Sequence, residues 1–178
     1  MRIVIYSSLI FAFLSVFGSA KEWTKFRGPS GDGHVTVKSI PLKWSETENI
    51  KWKVSVPGKG WSSPVISADK IYLTSAVAEG DNQDAADVHR ELRVICFSAN
   101  NGKKLWDTKV FDQKPLKRPI HHKNSHASPT AIVDNDRIYV HFGHMGSACL
   151  NLQGEIIWKN DELKYDPLHG NGGLSLIH

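Results

Sequence analysis

Hydrophobic and polar residues alternate in short runs along most of the chain from residue 49 onward. Side chains two positions apart lie on the same face of a strand, so Ile71 with Leu73, and Ile138 with Val140, predict strands with one face on a packed layer. Turn-forming residues separate the runs at 68–69, 101–102, 135–136 and 153–154. A helix fits this pattern nowhere well. The sequence therefore predicts an all-β fold.

The runs also repeat. SSPVISADKIYLTSA (62–76) aligns with ASPTAIVDNDRIYVHFG (127–143), and VICFSANNGKKLWDTKV (94–110) aligns with SACLNLQGEIIWKND (147–161). In each copy Ser-Pro opens a strand, an Asp-containing turn follows, and a later strand passes through Cys to a Gly four residues before a Trp. Each copy predicts a four-stranded antiparallel meander. Repeated units of this kind are most simply stacked radially as blades of a β-propeller.

The tryptophans and glycines of the repeat are predicted to hold neighbouring blades together. A Trp on an outer strand can lie across the next blade and donate its indole N–H to a backbone carbonyl. The predicted docking residues are Trp52, Gly102, Trp106, Gly154 and Trp158. Trp52 lies in an orphan fourth strand, NIKWKVSVPG, which would complete the last blade of a closed ring.

Two whole blades and two partial ones are too few for a ring, which needs at least four. Residues 175–177 resemble the opening of a third unit. We therefore expect residues 49–178 to form part of a propeller in a longer protein, preceded by an extended segment at 21–48.

The first twenty residues differ from the rest. Arg2 is followed by an apolar stretch at 3–17 and by Gly-Ser-Ala at 18–20, which is typical of an export signal. A membrane-spanning helix is the alternative, but the apolar run is shorter than the ~20 residues a bilayer span needs. Residue 21 is Lys, so the lipoprotein Cys is missing. We expect a mature protein that is exported to the periplasm or outside the cell, without stable membrane insertion.

Charge and cysteine content exclude some functions. The net charge is +4, and it falls to +3 when Arg2 leaves with the signal. Basic residues are scattered among acidic ones, so nucleic-acid binding is not expected. Cys96 and Cys149 are the only cysteines, too few for a disulfide framework.

In a meander, successive connections alternate between the two ends of the sheet. This strand parity predicts which connections lie together on one face. The short turns fall at one end of the meanders, and the two long connections, 76–91 and 111–125, fall at the other. Elaborated loops on one face of a rigid scaffold are typical of a binding surface. Salt bridges between the two loops are an equally compatible use of their opposite charge. The charged residues are Glu79, Asp81, Asp84 and Asp87 in the first loop and Lys114, Lys117, Arg118 and Lys123 in the second.

Histidines collect at the same end. His126 enters an innermost strand, His144 leaves a second strand and His169 precedes the third unit, while His121 and His122 lie in the basic loop. Imidazoles that converge at a channel mouth can ligate a metal or transfer protons. No HxxxH pattern and no carboxylate at a diagnostic spacing accompanies them. We therefore favour a polar channel rim over a metal site, with His126, His144 and His169 as the only metal candidates.

The segment FRGPSGDGH (26–34) is glycine-rich but lacks the Gly-Lys-Ser/Thr ending and the strand-to-helix context of a phosphate loop. We interpret it as an extended segment across the propeller surface, anchored by Trp23 and Phe26, with Arg27 bonding to loop carbonyls.

The strand ends SANNGKKLW (98–106) and NLQGEIIW (151–158) resemble the tryptophan-docking repeat of the pyrroloquinoline-quinone-like (PQQ-like) β-propellers. That superfamily includes quinoprotein alcohol dehydrogenases and the outer-membrane assembly propeller lipoprotein. WTKFRGPSGDG (23–33), LKWSETENIKWK (42–53) and HGNGG (169–173) resemble exported PQQ-like repeat proteins of planctomycetes and related bacteria. The resemblance covers nearly all of the mature chain and implies the fold more specifically than the activity, because one fold hosts many functions.

Two functions follow from the resemblance. One is a non-catalytic exported propeller that binds a protein, peptide or glycan partner through the loop-bearing face and needs no cofactor. The other is the N-terminal part of a dehydrogenase that oxidises alcohols or sugars with PQQ and calcium. The enzymes carry adjacent disulfide-bonded cysteines beside the cofactor, whereas Cys96 and Cys149 lie 53 positions apart. The calcium ligands and catalytic Asp of the enzymes match no position here, so we favour the binding module.

Overall fold

The computed structural model describes residues 22–37, 39–116, 120–162, 165, 170 and 172. Eight β-strands and one single-turn 3-10 helix, Gly143–Met145, are the regular elements of those ranges, and the all-β prediction is confirmed. The strands are β1 Val65–Ser67, β2 Lys70–Ala78, β3 Arg90–Ser98, β4 Lys104–Gln113, β5 Ile132–Asp134, β6 Arg137–His141, β7 Ser147–Asn151 and β8 Ile156–Asn160. The predicted export signal, His169 and residues 175–177 lie outside the described residues.

The strands form two four-stranded sheets, each a simple meander. The first sheet has the order β1-β2-β3-β4 and the second the order β5-β6-β7-β8, with antiparallel pairing throughout. The two sheets correspond to the two copies of the sequence repeat, so the prediction of four strands per unit is confirmed.

Tight turns link the first two strands of each sheet. Ala68 and Asp69 have φ angles of +48° and +59°, and Asn135 has +51° in the second sheet. Positive φ in a two-residue turn matches the right-handed twist of the flanking strands, which is why Asn and Asp suit these positions.

Each sheet carries the same cross-strand row of Tyr, Cys and Trp on strands two, three and four. The rows are Tyr72, Cys96 and Trp106 in the first sheet, and Tyr139, Cys149 and Trp158 in the second. The Tyr and Trp ring centroids are 5.8 Å apart in the first row and 6.4 Å apart in the second. Both cysteines are buried and free. Burial raises the pKa of the Cys96 thiol to about 12, so this thiol stays protonated at neutral pH.

The core lies between the two sheets. Buried apolar side chains of both sheets form a single cluster, in which Phe111 and Phe142 meet edge to face with ring centroids 6.1 Å apart. A shared core means that the two sheets pack on each other instead of forming separate units.

The N-terminal segment crosses the first strands of both sheets. Trp23 and Ile66 exchange two backbone hydrogen bonds of 2.9 Å, and the carbonyl of Thr24 accepts a 2.8 Å bond from the Val133 N–H. Phe26 is 39% exposed, and the Arg27 guanidinium lies 5.4 Å from its ring centroid. Among the described residues Arg27 makes no hydrogen bond from its side chain to a loop carbonyl, so it caps Phe26 instead.

Candidate functional site

The two long connections lie side by side at one end of the sheets, which we call the loop face. The N–H of Leu116, after β4, donates a 2.9 Å hydrogen bond to the carbonyl of Ala86, between β2 and β3. His89 Nε2, at the end of the β2–β3 connection, lies 3.1 Å from Asp112 Oδ1 near the end of β4. The short turns lie at the opposite end, as strand parity requires.

The predicted salt bridges between acidic residues of the first loop and basic residues of the second are not formed among the described residues. Among the described residues no ion pair joins the acidic side chains of 79–87 to Lys114 or Lys123. Asp84 pairs instead with Lys59, which precedes β1, at 2.6 Å between Nζ and Oδ2. Both side chains are more than half exposed, so this pair contributes little stability.

A cleft of about 400 Å³ opens on the loop face, and we call it the loop-face cleft. Three segments line it, at 59–61, 83–90 and 120–126, together with Ala76. It therefore lies where the approach to the first sheet, the β2–β3 connection and the β4–β5 connection meet. A volume of this size is within the usual range for small-molecule sites.

Arg90, at the start of β3, organises one wall of the cleft. The residue is only 1% exposed, and its guanidinium donates to the carbonyls of Val88 at 3.2 Å, of Gln83 at 3.4 Å and of Ala85. Burial lowers the pKa of Arg90, and the nearby Asp84 carboxylate opposes that shift. Among the described residues no carboxylate lies within 4 Å of its nitrogens. Arg90 therefore holds the β2–β3 connection in shape and carries a charge that is solvated mainly by backbone carbonyls.

The opposite wall is held by hydrogen bonds around Ser125. Its Oγ accepts a 3.1 Å bond from the Trp61 N–H, and the Ala127 carbonyl accepts a second bond from the same N–H at 3.2 Å. The Ser128 hydroxyl donates to Asn124 Oδ1 at 2.5 Å. These bonds tie the segment before β1 to the segment before β5, and they leave the indole of Trp61 on the cleft wall, with the residue 56% exposed.

His126 lies in the cleft wall, near enough to Arg90 for the Arg90 charge to affect its pKa. Desolvation lowers its pKa to about 4, and the charges of Arg90 and His144 act in the same direction. It is therefore neutral at pH 7. His121 and His122 also line the cleft, with their rings stacked at 4.3 Å between centroids.

Of the other two predicted metal candidates, His144 is not among the described residues that line the cleft. His144 lies in the 3-10 helix and meets Tyr165 edge to face at 6.2 Å, and His169 is outside the described residues. The described residues contain no group of three His, Cys, Asp or Glu side chains that could hold a metal ion. Cys96 and Cys149 lie in different sheets. They are therefore not the adjacent, disulfide-bonded pair that the dehydrogenase resemblance implies.

Stability should depend on pH through His126. Its folded pKa of about 4 lies below the ordinary value of 6.5, so below pH 6.5 protons bind the unfolded chain preferentially. The wild-type protein should lose stability as the pH falls from 6.5 to 4, with this group contributing a slope of up to about 1 kcal/mol per pH unit. Urea unfolding of wild type and His126→Gln across that range measures the difference in slope. Parallel profiles would show that His126 titrates normally in the folded chain.

Two of the predicted docking tryptophans, Trp52 and Trp106, form a second structural site, where each packs on a turn of the following unit. Trp52 Nε1 donates to the Ala99 carbonyl at 3.0 Å, and Trp106 Nε1 donates to the Leu152 carbonyl at 3.1 Å, over separations of 47 and 46 residues. The ring of Trp52 covers Gly102. In the same way, the ring of Trp106 covers Gly154.

Trp158 occupies the equivalent position in the second sheet but is 45% exposed, and all five residues of β8 are exposed. The docking contact is therefore made twice among the described residues, and the outer surface of the second sheet presents the side chain that would make a third.

The cleft residues that were not among the predicted site residues include Lys59, Trp61 and Arg90. Trp61 could have been found from the repeat, because it stands two positions before the Ser of Ser-Pro in the first unit, as His126 does in the second. Both residues line the same cleft. Arg90 has no such signal, since its partners are backbone carbonyls.

No helix of the described residues is long and apolar enough to cross a membrane. In comparisons with known proteins, no family model matches the chain and no curated protein matches it.

Proposed function

We propose that the chain is part of an exported, non-catalytic β-propeller that binds a protein, peptide or glycan partner through the loop face. The observation that carries this proposal is the loop-face cleft, which three connections build at one end of two packed sheets. Strands hold the ends of these connections, and hydrogen bonds from Arg90 and around Ser125 fix their shape. Loops held in this way on a rigid scaffold form a preorganised binding surface.

The repeated docking contact supports the propeller. The same Trp-to-carbonyl bond and the same Trp-on-Gly packing occur from Trp52 to the first sheet and from the first sheet to the second. When each sheet packs on the next through the same contact and in the same direction, the sheets form a ring or a solenoid. We call this repeated contact the docking rule. The exposed Trp158 is the residue that would continue it.

The segment around Trp52 supports closure of a ring. Residues 51–56 pair with no strand among the described residues, and Ile50, Val54 and Val56 are exposed by 46%, 41% and 40%. An extended, apolar segment with unpaired backbone groups is suited to receive further strands. We propose that it is the outermost strand of a blade whose other strands lie elsewhere in the complete protein.

The side chains of the cleft favour binding over catalysis. Ser125 Oγ is engaged with the backbone N–H of Trp61 and with Ser128, and no described carboxylate hydrogen-bonds to His126. A nucleophile, a base and a group that orients the base are therefore not found together among the lining residues.

The test is a binding screen of the exported protein on peptide and glycan arrays, with two double variants. Lys59→Ala with Trp61→Ala removes exposed side chains of the cleft. Lys103→Ala with Trp44→Ala removes the same two residue types from exposed positions outside it. We expect the first variant to lose array binding and the second to retain it.

Equal behaviour of the two variants would show that the cleft is not the binding surface. A separate assay adds PQQ and calcium to the wild-type protein and follows dye-linked oxidation of alcohols and sugars. Turnover there would contradict the non-catalytic proposal.

A further inference from the structure

The loop-face cleft offers one exposed aromatic face among polar groups. Trp61 is 56% exposed on the cleft wall, and among the described residues the remaining apolar lining is limited to Ala76, Ala86 and Ile120. Apolar anchor side chains of a peptide bind in pockets lined by several large apolar residues, and the described lining has only Ile120 beside the indole. A flat indole surrounded by amide, imidazole and ammonium groups suits a ring with an apolar face and polar edges, which describes a sugar.

The charge of the cleft is unbalanced. Among the described lining residues, Lys59 and Arg90 are cationic and Asp84 is anionic. Asp84 is engaged by Lys59 at 2.6 Å between Nζ and Oδ2, and Arg90 has no carboxylate within 4 Å among the described residues. One positive charge on the wall thus has no anionic partner in the described part of the chain.

Some side-chain N–H groups beside that charge make no hydrogen bond to a described residue. Arg90 itself is 1% exposed, so it contributes to the cleft chiefly through its positive charge. The bonds of Arg90 to Val88, Gln83 and Ala85 use at most three of the five guanidinium N–H groups. The ring of His126 makes no hydrogen bond to any described residue, and a neutral imidazole donates one N–H. Proteins commonly bind a carboxylate with N–H donors of this kind placed next to a positive charge.

We propose that the loop-face cleft binds a saccharide that carries a carboxylate, with the sugar ring on the indole of Trp61 and the carboxylate toward the wall formed by Arg90 and His126. This inference rests on the proposed function and specifies its ligand as an acidic sugar. A volume of about 400 Å³ accommodates a ligand of small-molecule size, so the recognised unit is a short stretch of a longer glycan. A neutral sugar would leave the positive charge of Arg90 unpaired, which is why the acidic form is favoured.

The experiment measures binding of uronic acid oligosaccharides to the full exported chain by titration calorimetry. The probes are trimers of galacturonate, glucuronate and mannuronate, each compared with its carboxyl-reduced neutral counterpart. We expect at least one acidic trimer to bind at least tenfold more tightly than its neutral counterpart. We also expect this preference to shrink as NaCl rises from 50 to 500 mM, because salt screens the charge.

Two variants that alter the charge of the cleft are expected to change the affinity for the acidic trimer in opposite directions. Lys59→Gln lowers the net charge of the lining and should weaken binding of the acidic trimer severalfold, whereas Asp84→Asn raises that charge and should strengthen it severalfold. A purely structural role of the pair would make both variants weaker. Trp61→Ala should weaken binding more than tenfold, and Trp44→Ala, which removes an exposed Trp outside the cleft, should leave it unchanged.

Four outcomes overturn the inference: no acidic trimer binds, the neutral trimers bind equally well, Trp61→Ala binds as wild type, or both charge variants weaken binding. Cleft-dependent binding of a peptide or a neutral glycan on the arrays would leave the proposed function standing while this inference fails. Absence of any cleft-dependent binding would contradict both the proposed function and this inference.

Discussion

Replacing Trp106 by Ala is expected to lower the free energy of unfolding by about 3 kcal/mol, which is the lower end of the range for removing a large aromatic side chain from a packed site. The indole bridges the two sheets, since it covers Gly154 and donates to the Leu152 carbonyl at 3.1 Å. Truncation removes the packing and the indole donor, and it leaves the Leu152 carbonyl with only the longer 3.5 Å bond from Lys70 Nζ. Small domains have 5–15 kcal/mol of stability in total, so the loss should be plain in urea unfolding.

Two variants separate the contributions to this loss. Trp106→Phe keeps most of the packing but removes the indole N–H, and it should cost about 1 kcal/mol, the usual net value of one hydrogen bond. Trp158→Ala is the matched control, because Trp158 holds the same place in its own sheet but is 45% exposed. We expect it to cost less than about 1 kcal/mol in this chain. A loss at Trp158 as large as that at Trp106 would show that docking on the next turn is not what Trp106 contributes.

Within a complete protein the same comparison tests the propeller. If a further sheet follows the second one, its turn should cover Trp158 as Gly154 covers Trp106. Trp158→Ala should then cost about as much as Trp106→Ala, near 3 kcal/mol. A cost that stays below 1 kcal/mol in the complete protein would contradict continuation of the docking rule.

The two sheets were predictable because their signals are local. Period-two alternation defines a strand over four or five residues, and turn residues such as Ala68-Asp69 and Asn101-Gly102 lie directly between the strands they join. The parity of a meander then assigns each connection to a face without further information. Fold class, strand order and the position of the long connections therefore all follow from neighbours in the sequence.

The pairing of each Gly with a Trp was not predictable in the same way. Gly102 stands four residues before Trp106, which suggests one local turn motif, yet the ring that covers Gly102 belongs to Trp52. The contact joins successive units and spans nearly fifty residues. Only the stacking of the units determines it, and no local pattern encodes that stacking.

The residues of the cleft also divide into those that the sequence locates and those that it does not. His126 and Trp61 can be located by repeat register, since both stand two positions before Ser-Pro strands. Arg90 is different, because its acceptors are the carbonyls of Gln83, Ala85 and Val88, and every residue has a carbonyl. The charge balance of the cleft depends on which carboxylate Lys59 reaches, and this depends on how the β2–β3 connection folds around Arg90.

Replacing Gly154 by Ala is expected to cost about 3 kcal/mol, for two reasons that can be measured separately. The φ angle of Gly154 is +87°, a conformation that alanine adopts at a cost of about 1 kcal/mol. An added Cβ would also stand 2.7 Å and 2.8 Å from two atoms of the Trp106 ring, and 3.0 Å from Thr108 Oγ1. Two of these atoms belong to a rigid ring that is held by its bond to Leu152, so the overlap can be relieved only by separating the sheets.

Gly80 provides the matched control for that experiment. Its φ angle is +80°, nearly that of Gly154, but an added Cβ would meet no atom within 4 Å. Gly80→Ala should therefore cost only the backbone contribution of about 1 kcal/mol. The difference of about 2 kcal/mol between the two variants, measured by urea unfolding, isolates the contact between Trp106 and the turn.

In the double variant Gly154→Ala with Trp106→Ala the two losses should be far from additive, because the second change removes the ring that the new Cβ strikes. Equal losses at Gly80 and Gly154, or additive losses in the double variant, would mean that the indole does not press on the glycine, and the docking rule would then lose its physical basis.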